Sequence, residues 1–146
     1  MAVTEFALDS RLANDTEFLV DWPLCRVLLM RDANYPWCIL VPRVVNEHGE
    51  VVTELYQLDD EQRAQLDKES IALSRFLMQH FSGDKLNVAA LGNVVAQLHI
   101  HHVVRFQSDA AWPAPVWGKL QATPYEPKAL ESTLNSLIHG LSGVFG

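Results

Sequence analysis

Three polar side chains, Gln97, His99 and His101, alternate with apolar residues in the run Ala96-Gln-Leu-His-Ile-His-His-Val103. If that run is extended, residues two apart point the same way and lie about 6.6 Å apart. Gln97, His99 and His101 then share one face, and Leu98, Ile100, His102 and Val104 share the other. The second set is mainly apolar and suits a core, with His102 as a hydrogen-bonded histidine on the packed side. The first set aligns two imidazoles and an amide toward a ligand. An imidazole has an ordinary pKa of about 6.5, so its neutral form is a competent nucleophile near neutrality. Attack by His99 on phosphorus would form a covalent phosphorus–nitrogen bond and divide one hard displacement into two easier ones. His101 beside it can donate a hydrogen bond to a phosphoryl oxygen or to the leaving group. The same pair could instead chelate Zn²⁺, with a third ligand from His48, His80 or a carboxylate. A plainer alternative makes them strand histidines with no chemistry.

A strand carrying such a face must be framed by other elements. Upstream, Gly92-Asn93 marks a tight turn where the backbone can approach a phosphate, because Gly has no side chain to obstruct it. Asn tolerates the left-handed conformation too, so Asn93 is expected in that turn. Strands are expected over Lys85 to Ala90 and, as one long element, over Val94 to Phe106. Earlier, Cys25-Arg-Val-Leu-Leu-Met30 and Trp37-Cys-Ile-Leu-Val41 are two apolar runs separated by a turn with Asp32, Asn34 and Pro36, which predicts an antiparallel pair. Asp9-Ser10 predicts the cap of a short helix over Arg11 to Asp15. Asn46-Glu-His-Gly49 reads as a further turn. Asp59-Asp-Glu-Gln62 has the form of a capping box, and Leu66, Leu73, Leu77 and Phe81 follow at helical spacing until Ser82-Gly83. From Gln107 to Pro127 the chain is rich in Pro and Trp and is expected to be irregular. Leu130, Leu134, Leu137, Ile138 and Leu141 then form one stripe on a C-terminal helix. The sum is an α+β domain with a mostly antiparallel sheet.

Bulk properties bound the partners. The chain has 146 residues, is 49% hydrophobic and carries a formal net charge of -7, which fits one domain over residues 1–146 and argues against nucleic acid as a partner. No apolar stretch reaches membrane-spanning length, and Met1-Ala-Val-Thr-Glu-Phe6 lacks the pattern of a signal peptide, so a cytoplasmic protein with no membrane partner is expected. Cys25 and Cys38 lie inside apolar runs without CxxC spacing and are expected to be buried reduced thiols.

The segment Gly92 to Val103 resembles the signature of the histidine-triad (HIT) superfamily, alternating histidines with apolar residues after a Gly-Gln. Here Gln97, His99 and His101 occupy the three triad positions, His102 replaces an apolar spacer, and Gly92-Asn93 stands for Gly-Gln. Leu29-Met-Arg-Asp32 followed by Leu40-Val-Pro-Arg43 is similar to the upstream part of the family, and the resemblance covers roughly Cys25 to Arg105, about the motif-bearing core 25–106. The Ala111-Trp-Pro-Ala-Pro-Val-Trp-Gly118 stretch, within a C-terminal segment 107–146, is similar to that of a bacterial subgroup.

The resemblance implies a HIT-like fold with one central helix and a C-terminal helix, pairing into a homodimer. It implies an enzyme acting at the α-phosphate of a nucleotide, on dinucleoside polyphosphates or nucleoside phosphoramidates, with no cofactor. Carried over, His99 is the nucleophile and His101 contacts the phosphate or leaving group. Gln97 supports the nucleophile by hydrogen bonding but cannot titrate. Gly92 and Asn93 lie near the phosphate and Asn87 near the nucleotide, Asp32 accepts from the ribose, and the first strand pair supplies an apolar pocket for the base. Trp37 and Val45 stand where relatives often carry accessory histidines, and Trp112 and Trp117 are packing groups or ligand contacts. A nucleotide-binding module that has lost turnover is the alternative from another class.

Overall fold

A short helix α1 (Ser10–Asp15) is the first element, with the Asp9 carboxylate accepting from the Arg11 backbone N–H at 2.8 Å. Strands β1 (Thr16–Asp21), β2 (Cys25–Met30) and β3 (Trp37–Pro42) follow as an antiparallel meander. Helix α2 (Asp60–Phe81) begins with the expected reciprocal cap: Asp59 accepts from the Gln62 N–H at 2.8 Å, and Gln62 accepts from the Asp59 N–H at 2.9 Å. Strands β4 (Lys85–Ala89) and β5 (Ile100–Arg105) and helix α3 (Pro127–Ser142) complete the set. The computed structural model describes residues 5–145, in which one five-stranded antiparallel sheet runs in the order β1-β2-β3-β5-β4. This is the α+β architecture that the sequence predicts. No helix among the described residues is long and apolar enough to cross a membrane.

Both faces of the sheet are covered. Cys25, Val27, Leu29, Cys38, Leu40, Ile100 and Val104 face α2 and α3, where Leu66, Leu73, Leu77, Leu137 and Leu141 meet them. Leu28, Trp37, Ile39, Val41 and Val103 face the other way, under α1 and the irregular segment that carries Ala111 and Val116. Burial on both sides explains why β2 and β3 read as continuous apolar runs instead of alternating ones. Cys25 and Cys38 are buried free thiols, as expected.

Several local expectations are corrected. Strand β1 has no counterpart in the sequence reading, because Glu17-Phe-Leu-Val20 is too short to stand out without its partner β2. The stop of α2 uses Ser82, not Gly83, as the left-handed residue, with φ 52°. Gly83 is needed for space instead, since a Cβ there would lie 2.4 Å from Val104 Cγ1. Gly92 takes φ 70°, whereas Asn93 is not among the left-handed residues. On α3 the buried stripe runs through Leu137 and Leu141 with Leu130 and Leu134 packed beside it, and Ile138 is left exposed.

His102 lies on the helix side of β5 with no exposure. Its Nδ1–H donates to the Ile100 carbonyl at 3.1 Å, and its Nε2 accepts from the Ser70 hydroxyl at 2.7 Å, so the neutral ring is fully bonded. Burial pushes its pKa down from 6.5 to about 4, although the Ile100 contact opposes the shift. The unfolded chain therefore takes up a proton before the folded one, and stability falls as pH drops from about 6.5 toward 4. His102 alone should cost the fold about 2 kcal/mol between about pH 7 and pH 5. Urea unfolding at both pH values should show at least this loss in the wild type, to which His101 adds, and a loss smaller by about 2 kcal/mol in His102→Gln. Identical pH dependence in the two proteins would refute it.

Candidate functional site

Strand β5 is shorter than predicted. The expected strand over Val94 to Phe106 is formed only at Ile100–Arg105, because the ladder with β3 ends where Leu40 faces Ile100 and Pro42, with no N–H, ends β3. Residues 93–99 find other partners. The Leu98 N–H donates to the Val52 carbonyl at 2.8 Å, and the Arg11 guanidinium donates to the Val94 carbonyl at 2.9 Å. Gln97 is buried, and both ends of its amide are occupied. Its Oε1 accepts from the Asp9 N–H at 2.8 Å and its Nε2 donates to the Ala7 carbonyl at 2.9 Å. Gln97 therefore does not share a strand face with His99 and His101, as the alternation predicts; its side chain staples the loop to residues 7–9 instead.

His99 and His101 do come together, with ring centroids 4.9 Å apart at 71°. His99 Nδ1–H donates to the Gln97 carbonyl at 2.6 Å, which leaves Nε2 as the nitrogen with the free lone pair. The ring is 7% exposed and lines a cleft of about 290 Å³ with Glu54, Leu55, Tyr56, Leu91 and Gly92. His101 has the opposite tautomer: its Nδ1 accepts from the Trp37 indole N–H at 3.0 Å, so its proton resides on Nε2. Burial, with His99 and His102 adding to it, pushes the His101 pKa down to about 4. The His99 ring thus turns Nε2 to the cleft, and the neighbouring His101 ring presents an N–H donor.

Trp117 stands edge-on to His101 at 5.3 Å and to Trp37 at 6.0 Å. Its indole N–H is buried without a partner among the described residues. The segment that carries it is anchored by Arg105, fully buried on β5. Arg105 donates to Asp109 at 2.8 and 3.0 Å, to Asn87 Oδ1 at 2.8 Å and to the Ala114 carbonyl at 2.8 Å. Its guanidinium also lies 5.6 Å from the ring centroids of both Tyr35 and Trp112. Burial raises the Asp109 pKa, but Arg105 and the N–H groups of Phe106 and Ala111 outweigh it and hold the carboxyl at about 2.

The remaining predicted residues are placed as follows. Gly92 is in the His99 cleft, while Asn93 is exposed at its turn. Asn87 stands on β4 opposite Val103, with its side-chain carbonyl tied to Arg105. Asp32 is buried, and its Oδ1 accepts from the N–H groups of Asn34 at 2.9 Å and Thr123 at 3.2 Å. It lines a separate cleft of about 380 Å³ with Met30, Arg31, Trp37 and Trp117. Trp37 and Trp117 touch both this cleft and His101, and so join the Asp32 cleft to the histidines. His48 sits in an exposed turn and His80 packs against Phe76, and no three His, Cys, Asp or Glu side chains among the described residues gather to hold a metal ion. Glu54, Leu55 and Tyr56 were missed by the sequence reading. An adjacent exposed Leu and Tyr in a polar turn was the signal available.

A protein-family model described as the HIT domain matches residues 11–108. Comparison with curated proteins finds no match. Among solved structures, a histidine triad protein from Marinobacter aquaeolei VT8 is 49% identical, with a TM-score of 0.85 over 94% of this chain and 98% of that one. One from Bradyrhizobium japonicum is 43% identical, with a TM-score of 0.86 over 92% of this chain and 97% of that one. One from Sinorhizobium meliloti 1021 is 33% identical, with a TM-score of 0.85 over 93% and 97%. With the family model and three relatives of nearly the same extent in agreement, this chain belongs to the HIT family.

Proposed function

We propose that this protein is a nucleotide hydrolase or transferase in which His99 attacks the α-phosphate. The observation that carries the reading is the complementary pair of tautomers: a free lone pair on His99 Nε2 beside a proton on His101 Nε2. The nucleoside occupies the cleft at Asp32, between Trp37 and Trp117, and its α-phosphate reaches across to His99. His99 Nε2 forms a bond to phosphorus as the bond to the leaving group breaks; the neutral His101 keeps its Nε2 proton and donates a hydrogen bond to a phosphoryl oxygen, and the departing group takes its proton from solvent. Water then attacks phosphorus, the phosphorus–nitrogen bond breaks, the water gives up a proton to solvent, and the nucleoside monophosphate departs from the regenerated His99. Gly92 lets the backbone approach the phosphate, and the unpaired indole N–H of Trp117 is a donor available to the nucleotide. Gln97 acts through its main-chain carbonyl, which holds the His99 tautomer.

The cleft beside His99 favours one of the two substrate classes. Its lining includes Glu54 and the apolar Leu55, Tyr56 and Leu91, and no Lys or Arg. A polyphosphate leaving group would bring several negative charges there without a counter-charge. An amine leaving group, as in a nucleoside phosphoramidate, meets no such repulsion. A second copy of the chain would pair along the open edge of β4, where Val88 is exposed.

The test is release of nucleoside monophosphate from adenosine 5′-phosphoramidate and diadenosine tetraphosphate, with intact mass to detect an adenylylated enzyme. Turnover should be faster on the phosphoramidate and fall by about 10³-fold or more in His99→Ala. Equal activity in His99→Ala would sink the assignment, and binding without turnover or adduct would establish the nucleotide-binding module. Gln97→Ala removes the staple but keeps the carbonyl, so kcat should drop about tenfold or less while thermal stability falls. A Gln97→Ala loss as deep as that of His99→Ala would show that the side chain acts in the chemistry.

A further inference from the structure

The tautomer of His101 is set by a residue on the neighbouring strand. Trp37 and His101 lie on the same face of the sheet, Trp37 opposite Val103 and His101 opposite Ile39. The indole N–H reaches His101 Nδ1 at 3.0 Å, with ring centroids 5.6 Å apart at 63°. Trp37 is 6% exposed and its N–H has one function, since indole donates and cannot accept. The acceptor must then be the lone pair of His101 Nδ1. Either the other tautomer or the imidazolium would set one N–H against another inside the protein.

We propose that Trp37 is a positioning residue that holds His101 as the neutral Nε2–H tautomer and so aims its one N–H donor at the phosphoryl group. The inference deepens the reading of His99 as nucleophile, and its kinetic consequence rests on that reading; the tautomer itself does not. The groups with a charge effect on His101 are His99 and His102, both imidazoles, and neither offers a negative charge that would stabilise the imidazolium. Trp117 covers the ring from the irregular segment, and Ala89 stands opposite it on β4. A titratable residue in place of Trp37 could accept as well as donate, and could hold either tautomer. Tryptophan removes that freedom.

The experiment compares the wild type with Trp37→Phe, which keeps an aromatic ring but removes the N–H. Long-range ¹⁵N–¹H correlation spectra, with the His101 signals assigned from His101→Gln, read the tautomer directly. Wild-type His101 should be a single Nε2–H tautomer, and in Trp37→Phe it should become a mixture and protonate at higher pH. On adenosine 5′-phosphoramidate, kcat should fall about tenfold in Trp37→3-benzothienylalanine with KM little changed, because the N–H donor of His101 is misdirected while the bicyclic surface of the nucleoside cleft remains. If Trp37→Phe does not fold, Trp37→3-benzothienylalanine keeps the bicyclic shape without the donor and serves the same comparison. An unchanged His101 tautomer in either variant overturns the proposal. A changed tautomer in a protein whose wild type has no turnover upholds the role of Trp37 and discards the nucleophile reading.

Discussion

Strand β5 is buried on both faces and yet carries three basic residues, His101, His102 and Arg105. A buried polar group without a partner costs about 1–3 kcal/mol, and an unpaired charge far more. Each of the three must therefore be neutralised or bonded by a different neighbour. His102 is answered by Ser70 and its own strand, His101 by Trp37, and Arg105 by Asp109, Asn87 and a main-chain carbonyl. Much of the surrounding structure follows from satisfying these demands: α2 presents a serine, β3 begins with a tryptophan, and the irregular segment returns to deliver an aspartate.

The same constraint gives the two imidazoles of the site different characters. His99 lies just before the ladder begins, so its ring takes its hydrogen bond from the loop and stands at a cleft. His101 lies inside the ladder, between two tryptophans, and is held away from protonation by its surroundings. The boundary between loop and strand, set partly by Pro42, thus separates a lone-pair nitrogen from a proton-bearing one. Arg105 contributes indirectly by anchoring the segment whose Trp117 closes over His101.

Sequence showed the frame more readily than the contacts. The capping box at Asp59, the β2–β3 pair and the helical leucines were legible because each depends on neighbours a few residues away. Strand β1 and the true start of β5 were not, since pairing partners distant in the chain decide them. The closeness of His99 and His101 survived the loss of the strand argument at position 99 because one of the two remains in the ladder. The amide of Gln97 could not be placed by alternation, as its partners lie 88 and 90 positions away. For Asp32 and Asn87, sequence indicated polar residues near a cleft but not that backbone N–H groups and Arg105 already hold them.

The staple at Gln97 makes residues 7–9 a mechanical part of the site. Its side chain grips Ala7 and Asp9, while its carbonyl two bonds along the main chain steadies His99. Tension applied at Ala7, from a fused tag or a tethered partner, would be transmitted through one buried amide to the imidazole. The placement of residues 7–9 and the aim of the His99 ring are in this sense a single degree of freedom.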